Sequence, residues 1–539
     1  MRQYLLGMRF FNTAGPVRCV DHYCLPPLSR FNLPEIMGLI VQKKYFVLHA
    51  PRQTGKTSCL LALKDHLNRE GRYQALYANF EAAQGAREDV GGAMQAILCV
   101  LGSQARDCLG DPFLKDSAGE ILAQAGPFGA LGEALARWSA KSPKPIVLLV
   151  DEIDSLIGDT LISVLRQLRA GYANRPSRFP STVVLCGVRD VRDYRIHTDQ
   201  GKTVITGGSA FNIKAESLRL GNFSREQVES LYGQHTEETG QPFEPAALQK
   251  AWALTAGQPW LVNALAYEAC FRMAEGRDRS RPVTCDMMVQ AKENLIARRE
   301  THLDQLADKL REERVRRVIE PLLVGDRFEM KLFSDDIDYV LDLGLISQDR
   351  TGAIVIANQI YQEIIPRQLT WDSQAGMSLQ AAWYILPDGR LDLSKLLEAF
   401  QQFFREHSES WIERFDYREA GPQLLLQAFL QRIVNGGGRV EREYGLGRGR
   451  TDILVVWPYP GGVQRAVIEL KVLSKSRAGT VREGLDQVRG YADRCGADEA
   501  HLVIFDRTPK KPWSRKIFRK IEALACPEGR LQTVGIWGM

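Results

Sequence analysis

The chain has 539 residues, 45% hydrophobic and 25% charged, with a formal net charge of +5 from 70 basic and 65 acidic side chains. These are globular proportions; they exclude a disordered, collagen-like or coiled-coil chain, and the length asks for about three or four domains. No run approaches the ~18–20 apolar residues of a membrane span, and the ten cysteines include no C-x-x-C pair. They read as small buried hydrophobes of a reducing compartment, so a cytoplasmic protein with no membrane partner is expected.

Residues 1–30 carry interspersed arginines and no long apolar stretch, unlike a secretory leader, and read as an ordered arm. From residue 31, short apolar runs alternate with helical patterns. YFVLH (Tyr45–His49), ALYAN (Ala75–Asn79), PIVLLV (Pro145–Val150) and TVVLCG (Thr182–Gly187) predict strands, with helices such as Thr160–Tyr172 between them. Continuously apolar strands separated by helices imply a parallel sheet covered on both faces, over residues 31–222.

The first strand runs into Ala50-Pro51-Arg52-Gln53-Thr54-Gly55-Lys56-Thr57-Ser58 and then a helical segment. This is a phosphate loop with alanine at the first glycine position. Backbone N–H groups from Arg52 to Ser58 would cradle phosphate, Gly55 allows close approach, Lys56 reaches the outer phosphates and Thr57 would ligate Mg2+. The third strand ends in Asp151-Glu152, a second Mg2+ ligand and a general base for water, although the pair also suits a helix N-cap. Arg189, after the fourth strand, is the candidate sensor of the outer phosphate, and Arg166 or Arg169 are candidate fingers acting on a neighbouring subunit of a homo-oligomer, dimer or higher. Residues 223–300 read as an all-helical lid, opening with a capping box at Ser224 and Gln227. Residues 301–370 read as helices followed by a hairpin, a winged-helix pattern, and 371–420 as a helical connector.

HAPRQTGKTS, LLVDEIDSL, the strand before Arg189 and Gly257-Gln258-Pro259-Trp260 together resemble AAA-type P-loop ATPases of the archaeal-ATPase/STAND branch, over roughly Phe31–Gln368. The resemblance implies ATP as cofactor, and that Pro259 touches its base or ribose.

Residues 421–539 hold 20 basic and 12 acidic residues, a balance of +8, against −3 for the rest of the chain. A basic segment on a near-neutral body marks a domain boundary and suggests a polyanion partner. Asp452 opens an apolar strand, a Pro-Tyr-Pro-Gly-Gly turn follows (Pro458–Gly462), and Glu469-Leu470-Lys471 ends the next strand. Strand alternation puts Glu469 and Lys471 on one face. Asp452, Glu469 and the Leu470 carbonyl make a hard-oxygen site for Mg2+ or Mn2+, with Lys471 to orient water; a surface ion-pair ladder is the competing reading.

The D-x16-E-x-K spacing, followed by Gln487 and Tyr491 one helical turn apart, resembles the PD-(D/E)XK nuclease superfamily. It implies catalytic roles for Asp452, Glu469, Lys471 and Gln487. The preceding helix, PQLLLQAFLQRI, offers Gln423, Gln427 and Gln431 where that family often has a glutamate. Near the end, Trp513 and Phe518 interleave with Arg515, Lys516, Arg519 and Lys520, read as a basic amphipathic helix that buries Ile517, Phe518, Ile521 and Leu524.

The expected architecture is a multidomain α/β protein: P-loop ATPase with helical lid and winged helix, then a restriction-endonuclease-like α/β domain. The expected function is an ATP-regulated, metal-dependent nuclease acting on DNA, with defence against foreign nucleic acid as its setting. Two alternatives stand beside it: a signalling NTPase whose inactive nuclease-like domain only binds, and an ATP-driven nucleic-acid translocase.

Overall fold

The computed structural model describes residues 9–189, 195–197, 204–206, 211–298, 306, 308–324, 334–349, 351–369, 384–412, 426, 429–430, 438–446, 449–473, 476–506, 508, 511–525 and 531–539. The chain forms two compact units: residues 1–303 with 337–347 and 357–360, and residues 304–336 with 348–356 and 361–539.

The first unit is built on five parallel strands, β1 (Tyr45–His49), β2 (Gln74–Asn79), β3 (Ile146–Asp151), β4 (Thr182–Gly187) and β5 (Lys214–Arg219), in the order β2-β3-β4-β1-β5. The first four match the apolar runs. Their side chains alternate between two cores: Tyr45, Val47, Leu148 and Val150 join one, and Phe46, Leu48, Val147 and Leu149 the other. Both faces are therefore dry, which is why these strands read as unbroken hydrophobic runs. β5 escaped the sequence reading because KAESLR is a partly exposed edge strand with charged residues, a composition that protects a sheet edge from further pairing.

β1 leads through the loop into helix α1 (Lys56–Glu70), and helix α2 (Gly158–Gly171) follows β3. The segment expected as a lid holds the helices α3 (Arg225–Thr239), α4 (Pro245–Thr255), α5 (Pro259–Tyr267) and α6 (Cys285–Arg298). The Ser224–Gln227 capping box is complete: each side chain accepts from the other residue's backbone N–H.

In the arm, Phe10–Phe11 and His22–Tyr23 pair as two short parallel strands. Here the cysteine reading needs correction. Cys19 and Cys24 form a disulfide, and Cys99 and Cys108 are exposed; Cys59, Cys186 and Cys270 are the buried thiols expected. The pairing was missed because a four-residue spacer is no metal or redox signature; the fold of the arm brings the two residues to a Cα separation of 5.4 Å.

Glu313–Val324 and Ser334–Asp342 are helices, and Ile346–Gln348 and Ile354–Ile356 are short strands. Between those strands, Asp349 Oδ1 accepts from the N–H groups of Thr351 and Ala353 (2.8 and 3.0 Å).

The sheet of the second unit has six strands: β6 (Arg439–Leu446), β7 (Gly449–Tyr459), β8 (Gly462–Val472), β9 (Glu499–Phe505), β10 (Phe518–Ala525) and β11 (Leu531–Gly538), in the order β6-β7-β8-β9-β11-β10. β6, β7 and β8 are antiparallel neighbours, β8, β9 and β11 run parallel, and β10 is antiparallel to β11. Helix α7 (Leu393–Ile412) shares a core with Ile453, Val455, Ile468 and Leu470 on one face. Helix α8 (Arg477–Cys495) covers the other, its Tyr491 against Leu454, Val456 and Val467.

The basic segment near the end departs from expectation. Only Trp513–Lys516 is helical, and Phe518–Ala525 is the edge strand β10, where Ile521 is 60% exposed. A helix-like spacing of Ile517, Phe518, Ile521 and Leu524 was overruled by an eight-residue antiparallel pairing with β11. No described helix is long and apolar enough to cross a membrane.

Candidate active sites

In parallel sheets, ligands bind beyond the carboxyl ends of the strands. The loop after β1 lies there. Ala50 is fully buried, and its N–H donates to the Gly187 carbonyl (3.2 Å), so β1 and β4 stay tied as the loop begins. The first-position alanine needs no unusual backbone; the left-handed residues are Gln53 (φ 57°) and Gly55 (φ 95°), the latter capping α1. Two reversals of this kind curl the chain so that N–H groups face inward at a helix N-terminus, where negative charge is favoured.

Lys56 is 5% exposed, and its ammonium donates to the carbonyls of Ala50 and Pro51 (2.9 and 3.0 Å). Thr57 Oγ1 donates to Asp151 Oδ2 at 2.7 Å. Asp151, fully buried at the end of β3, also accepts from the Tyr77 hydroxyl (3.0 Å) and the Glu152 N–H (3.0 Å). The N-cap alternative for Asp151 thereby gives way: its carboxylate faces the phosphate loop. Tyr77 had no signal in the sequence beyond its place in a strand; it reaches Asp151 because β2 and β3 pair directly.

Glu152 is left-handed (φ 53°), a conformation that costs a non-glycine residue free energy and is found at functional sites. Burial, reinforced by the neighbouring Asp154 carboxylate, pushes the Glu152 carboxyl above its ordinary range, against the opposing pull of Lys56. Asp154 is itself fixed by the Val188 N–H (3.2 Å). A Cβ on Gly187 would stand 2.8 Å from Asp154 Oδ1, so any other residue here must displace that carboxylate.

Arg189 sits beyond β4 with its guanidinium 4.7 Å from the centre of the Tyr339 ring. Close by in the same unit, His49 lies 3.6 Å from Asp342, and Arg219 donates to the Leu341 carbonyl (2.7 Å). None of these three partners was legible, since all come from a helix over a hundred residues downstream. Arg166 and Arg169 are exposed on α2.

Pro259 begins α5 beneath the side chain of Gln258, which accepts from the Leu261 N–H (2.6 Å). It lines a cavity of about 140 Å3 together with Thr54, Gly55, Ser58, Arg30 and Trp260. Arg30 was not singled out from sequence. Its guanidinium donates to the carbonyls of Thr54 (3.1 Å) and Gly221 (2.7 Å) and stacks 4.4 Å from the Phe223 ring. It thus joins the phosphate loop to the segment that enters the lid.

In the second unit, Ile453 pairs with Ile468 across β7 and β8. Asp452 precedes that pair and Glu469 follows it, so their backbones stand at one level of the antiparallel ladder; the Asp452 side chain lies outside the described residues. Glu469 is 3% exposed, so its pair with Lys471 is largely buried and not a ladder on the surface. The Lys471 ammonium lies 3.4 Å from Glu469 Oε1 and 3.8 Å from Glu483 Oε1 on α8. Leu470 faces the opposite core, as the alternation requires. Gln487, one turn after Glu483, carries a buried Oε1 with no hydrogen-bond partner among the described residues. Gln423, Gln427 and Gln431 lie outside the described residues.

Two oxygens, the Thr57 hydroxyl and the Asp151 carboxylate, suit a hard cation that also takes phosphate oxygens. Among the described residues, no group of three His, Cys, Asp or Glu side chains gathers to hold a metal alone. On the six-stranded sheet of the second unit, the hard oxygens at the end of β8 include the buried Glu469 carboxylate and the Leu470 carbonyl.

No protein-family model matches the chain, and no curated protein matches it. Solved structures do. The Walker-type ATPase PABY2304 of Pyrococcus abyssi aligns with 13% identity and a TM-score of 0.43, covering 66% of this chain and 99% of that one. The Cdc6p structure from Pyrobaculum aerophilum aligns at 13% and 0.32, covering 61% and 88%. The RuvB branch-migration motor of Thermotoga maritima aligns at 12% and 0.30, covering 61% and 90%.

Proposed function

We propose that the protein is an ATP-hydrolysing switch joined to a metal-dependent phosphodiesterase that cuts nucleic acid. The observation that carries the first half is the Thr57–Asp151 hydrogen bond of 2.7 Å beside Lys56. A hydroxyl and an ammonium from the first turn of α1 thereby stand with a carboxylate from the end of β3 around one loop. ATP would lie with its phosphates on the N–H groups of residues 52–58 and its base toward Pro259. Thr57 and Asp151 would hold Mg2+, which neutralises phosphate charge when bound. Lys56 would exchange the Ala50 and Pro51 carbonyls for phosphate oxygens. Glu152 would accept the proton of the attacking water, a task suited to a carboxyl whose proton affinity is already raised. Arg189 would report on the outer phosphate, its release from Tyr339 marking the change of state.

The second half rests on the buried Glu469 with Lys471 beside it, and on the buried Gln487 Oε1 one helical turn after Glu483. Asp452, Glu469 and the Leu470 carbonyl would hold Mg2+ or Mn2+, which polarises the scissile phosphate when bound. Lys471 would orient or deprotonate the attacking water, and Gln487 would fix the phosphate or a metal-bound ligand from the helix side. The basic balance of this segment favours a nucleic-acid backbone, taken here as DNA. The pairing fits a cytoplasmic effector of defence against foreign DNA, acting as a homo-oligomer.

Two assays test the reading on the full chain. Phosphate release from ATP should need Mg2+ and vanish in Lys56→Ala. Cleavage of duplex DNA, single-stranded DNA or RNA should need Mg2+ or Mn2+, respond to ATP and vanish in Glu469→Ala. Absence of ATP turnover by the wild type would sink the first half, and absence of metal-dependent cutting with or without ATP would sink the second.

A further inference from the structure

The mechanism leaves the arm without a task, yet the arm walls the nucleotide cavity. Its residues Asn12–Gly15, Val17 and Tyr23–Leu25 line the space shared with Gly55 and Trp260. One end is tied to the phosphate loop side: the Val17 N–H donates to Ser58 Oγ (3.0 Å). The other is tied to the lid: Cys24 exchanges two hydrogen bonds with the Gln234 side chain (3.0 and 2.9 Å), and the Tyr23 hydroxyl lies 3.2 Å from His235 Nδ1. The Trp260 indole also donates to the Thr13 carbonyl (2.9 Å). The Cys19–Cys24 disulfide joins these two ends. Cys19 is exposed and Cys24 half-buried at the cavity wall, so the bond can be attacked from solvent.

We propose that Cys19–Cys24 is a thiol–disulfide exchange site that sets how fast nucleotide leaves the cleft. This rests on the nucleotide reading of that cleft. The co-reactant is a dithiol. One of its thiolates attacks Cys19 Sγ, the Cys19–Cys24 bond breaks, and Cys24 departs as a thiolate that takes up a proton. The second thiolate closes on the first sulfur of the dithiol and expels Cys19. Two electrons pass to the protein, and the dithiol leaves as its own disulfide; glutathione disulfide reverses the sequence. Other thiols are poor competitors near the cleft: burial pushes Cys59 up to about 11 and keeps it a protonated, slow nucleophile.

Opening a six-residue ring returns conformational freedom to the arm once it undocks, with an upper limit of roughly 40-fold on the docking equilibrium. Strands Phe10–Phe11 and His22–Tyr23 keep part of the order, so release should accelerate about 5–20-fold.

The test is stopped-flow displacement of a fluorescent ATP analogue from the full chain, treated with dithiothreitol or glutathione disulfide. Mass spectrometry after thiol tagging reports the state of each cysteine. Reduction should speed release by the stated factor. Cys19→Ser/Cys24→Ser should release at the reduced rate and ignore both reagents, whereas Cys99→Ser/Cys108→Ser should keep the full response. Equal release rates with Cys19 and Cys24 verified bonded in one sample and free in the other would overturn the proposal. So would their remaining free thiols under glutathione disulfide. An analogue that binds neither state, and binds Lys56→Ala no differently, would show instead that the nucleotide reading of the cleft had failed and the exchange site with it.

Discussion

Replacing Glu469 by glutamine separates a catalytic carboxylate from a structural ion pair. At 3.4 Å from Lys471, the Coulomb attraction is about 5 kcal/mol at an effective dielectric of 20. Against it stands the desolvation of a carboxylate that is 3% exposed, which costs several kcal/mol, with a smaller share for the more exposed ammonium. The two nearly cancel, and the amide keeps the volume of the site. Glu469→Gln should therefore change the stability of the second unit by no more than about 2 kcal/mol in either direction. For a unit of this size that is a melting shift of up to about 8 °C. Nucleic-acid cleavage should fall by a factor of a hundred or more, because a neutral amide is a poor ligand for a hard cation. The converse change is the harsher one for the fold. Lys471→Met removes the ammonium beside a carboxylate still buried, and should destabilise more than Glu469→Gln at neutral pH. Differential scanning calorimetry on both variants, with cleavage measured on the same preparations, gives the comparison. A Glu469→Gln variant that melts far below the stated range, or one that stays folded and cuts at the wild-type rate, would refute the reasoning and return the pair to a structural role.

Three further outcomes follow from the first unit. Asp154 raises the Glu152 proton affinity, and a base must be ionised to work, so ATP turnover should fail on the acid side as pH drops through a raised value. Asp154→Asn keeps an oxygen for the Val188 N–H but removes the charge, and should move that acid limb to lower pH; a limb unmoved in a pH–rate profile of kcat would exclude Glu152 as the base. Arg30→Ala should weaken nucleotide binding about tenfold or more and Arg30→Lys less so, since a single ammonium can hold only part of what the guanidinium holds between Thr54 and Gly221; titration with the fluorescent analogue reads this, and equal losses in both variants would contradict a bridging role. Gly187→Ala should cost about 1–3 kcal/mol by forcing a methyl group against Asp154 and Ile153, measured by chemical denaturation, and a neutral result would show that this strand end yields more easily than its contacts imply.

Legibility followed the range of the interactions involved. β1, the loop and α1 are consecutive in sequence, so Gly55, Lys56 and Thr57 were readable together, and the strand-end carboxylates followed from one apolar run. Glu469 and Lys471 share a face by strand alternation alone, a rule that needs no tertiary knowledge. What escaped was supplied from a distance or disguised by composition. Tyr77 reaches Asp151 through strand pairing, and Tyr339 reaches Arg189 from a helix in a later part of the chain. β5 and β10 are edge strands whose charged residues mimic a loop in one case and an amphipathic helix in the other.

The arm combines both obstacles. Nothing local in PVRCVDHYCLPPL says that Val17 meets Ser58, while Tyr23 and Cys24 meet the lid. On the proposed reading a single motif would hold phosphate, whereas retention of the nucleotide would depend on three segments far apart in sequence: the arm, the loop and the lid. Arg30 shows why those segments act together. Its guanidinium holds carbonyls of the loop and of the lid entry at once, so a lid that swings away must either break one of these bonds or carry the loop peptide of Thr54 with it. Hydrogen exchange at residues 54–58 should then rise in step with exchange in α3 when Arg30 is removed.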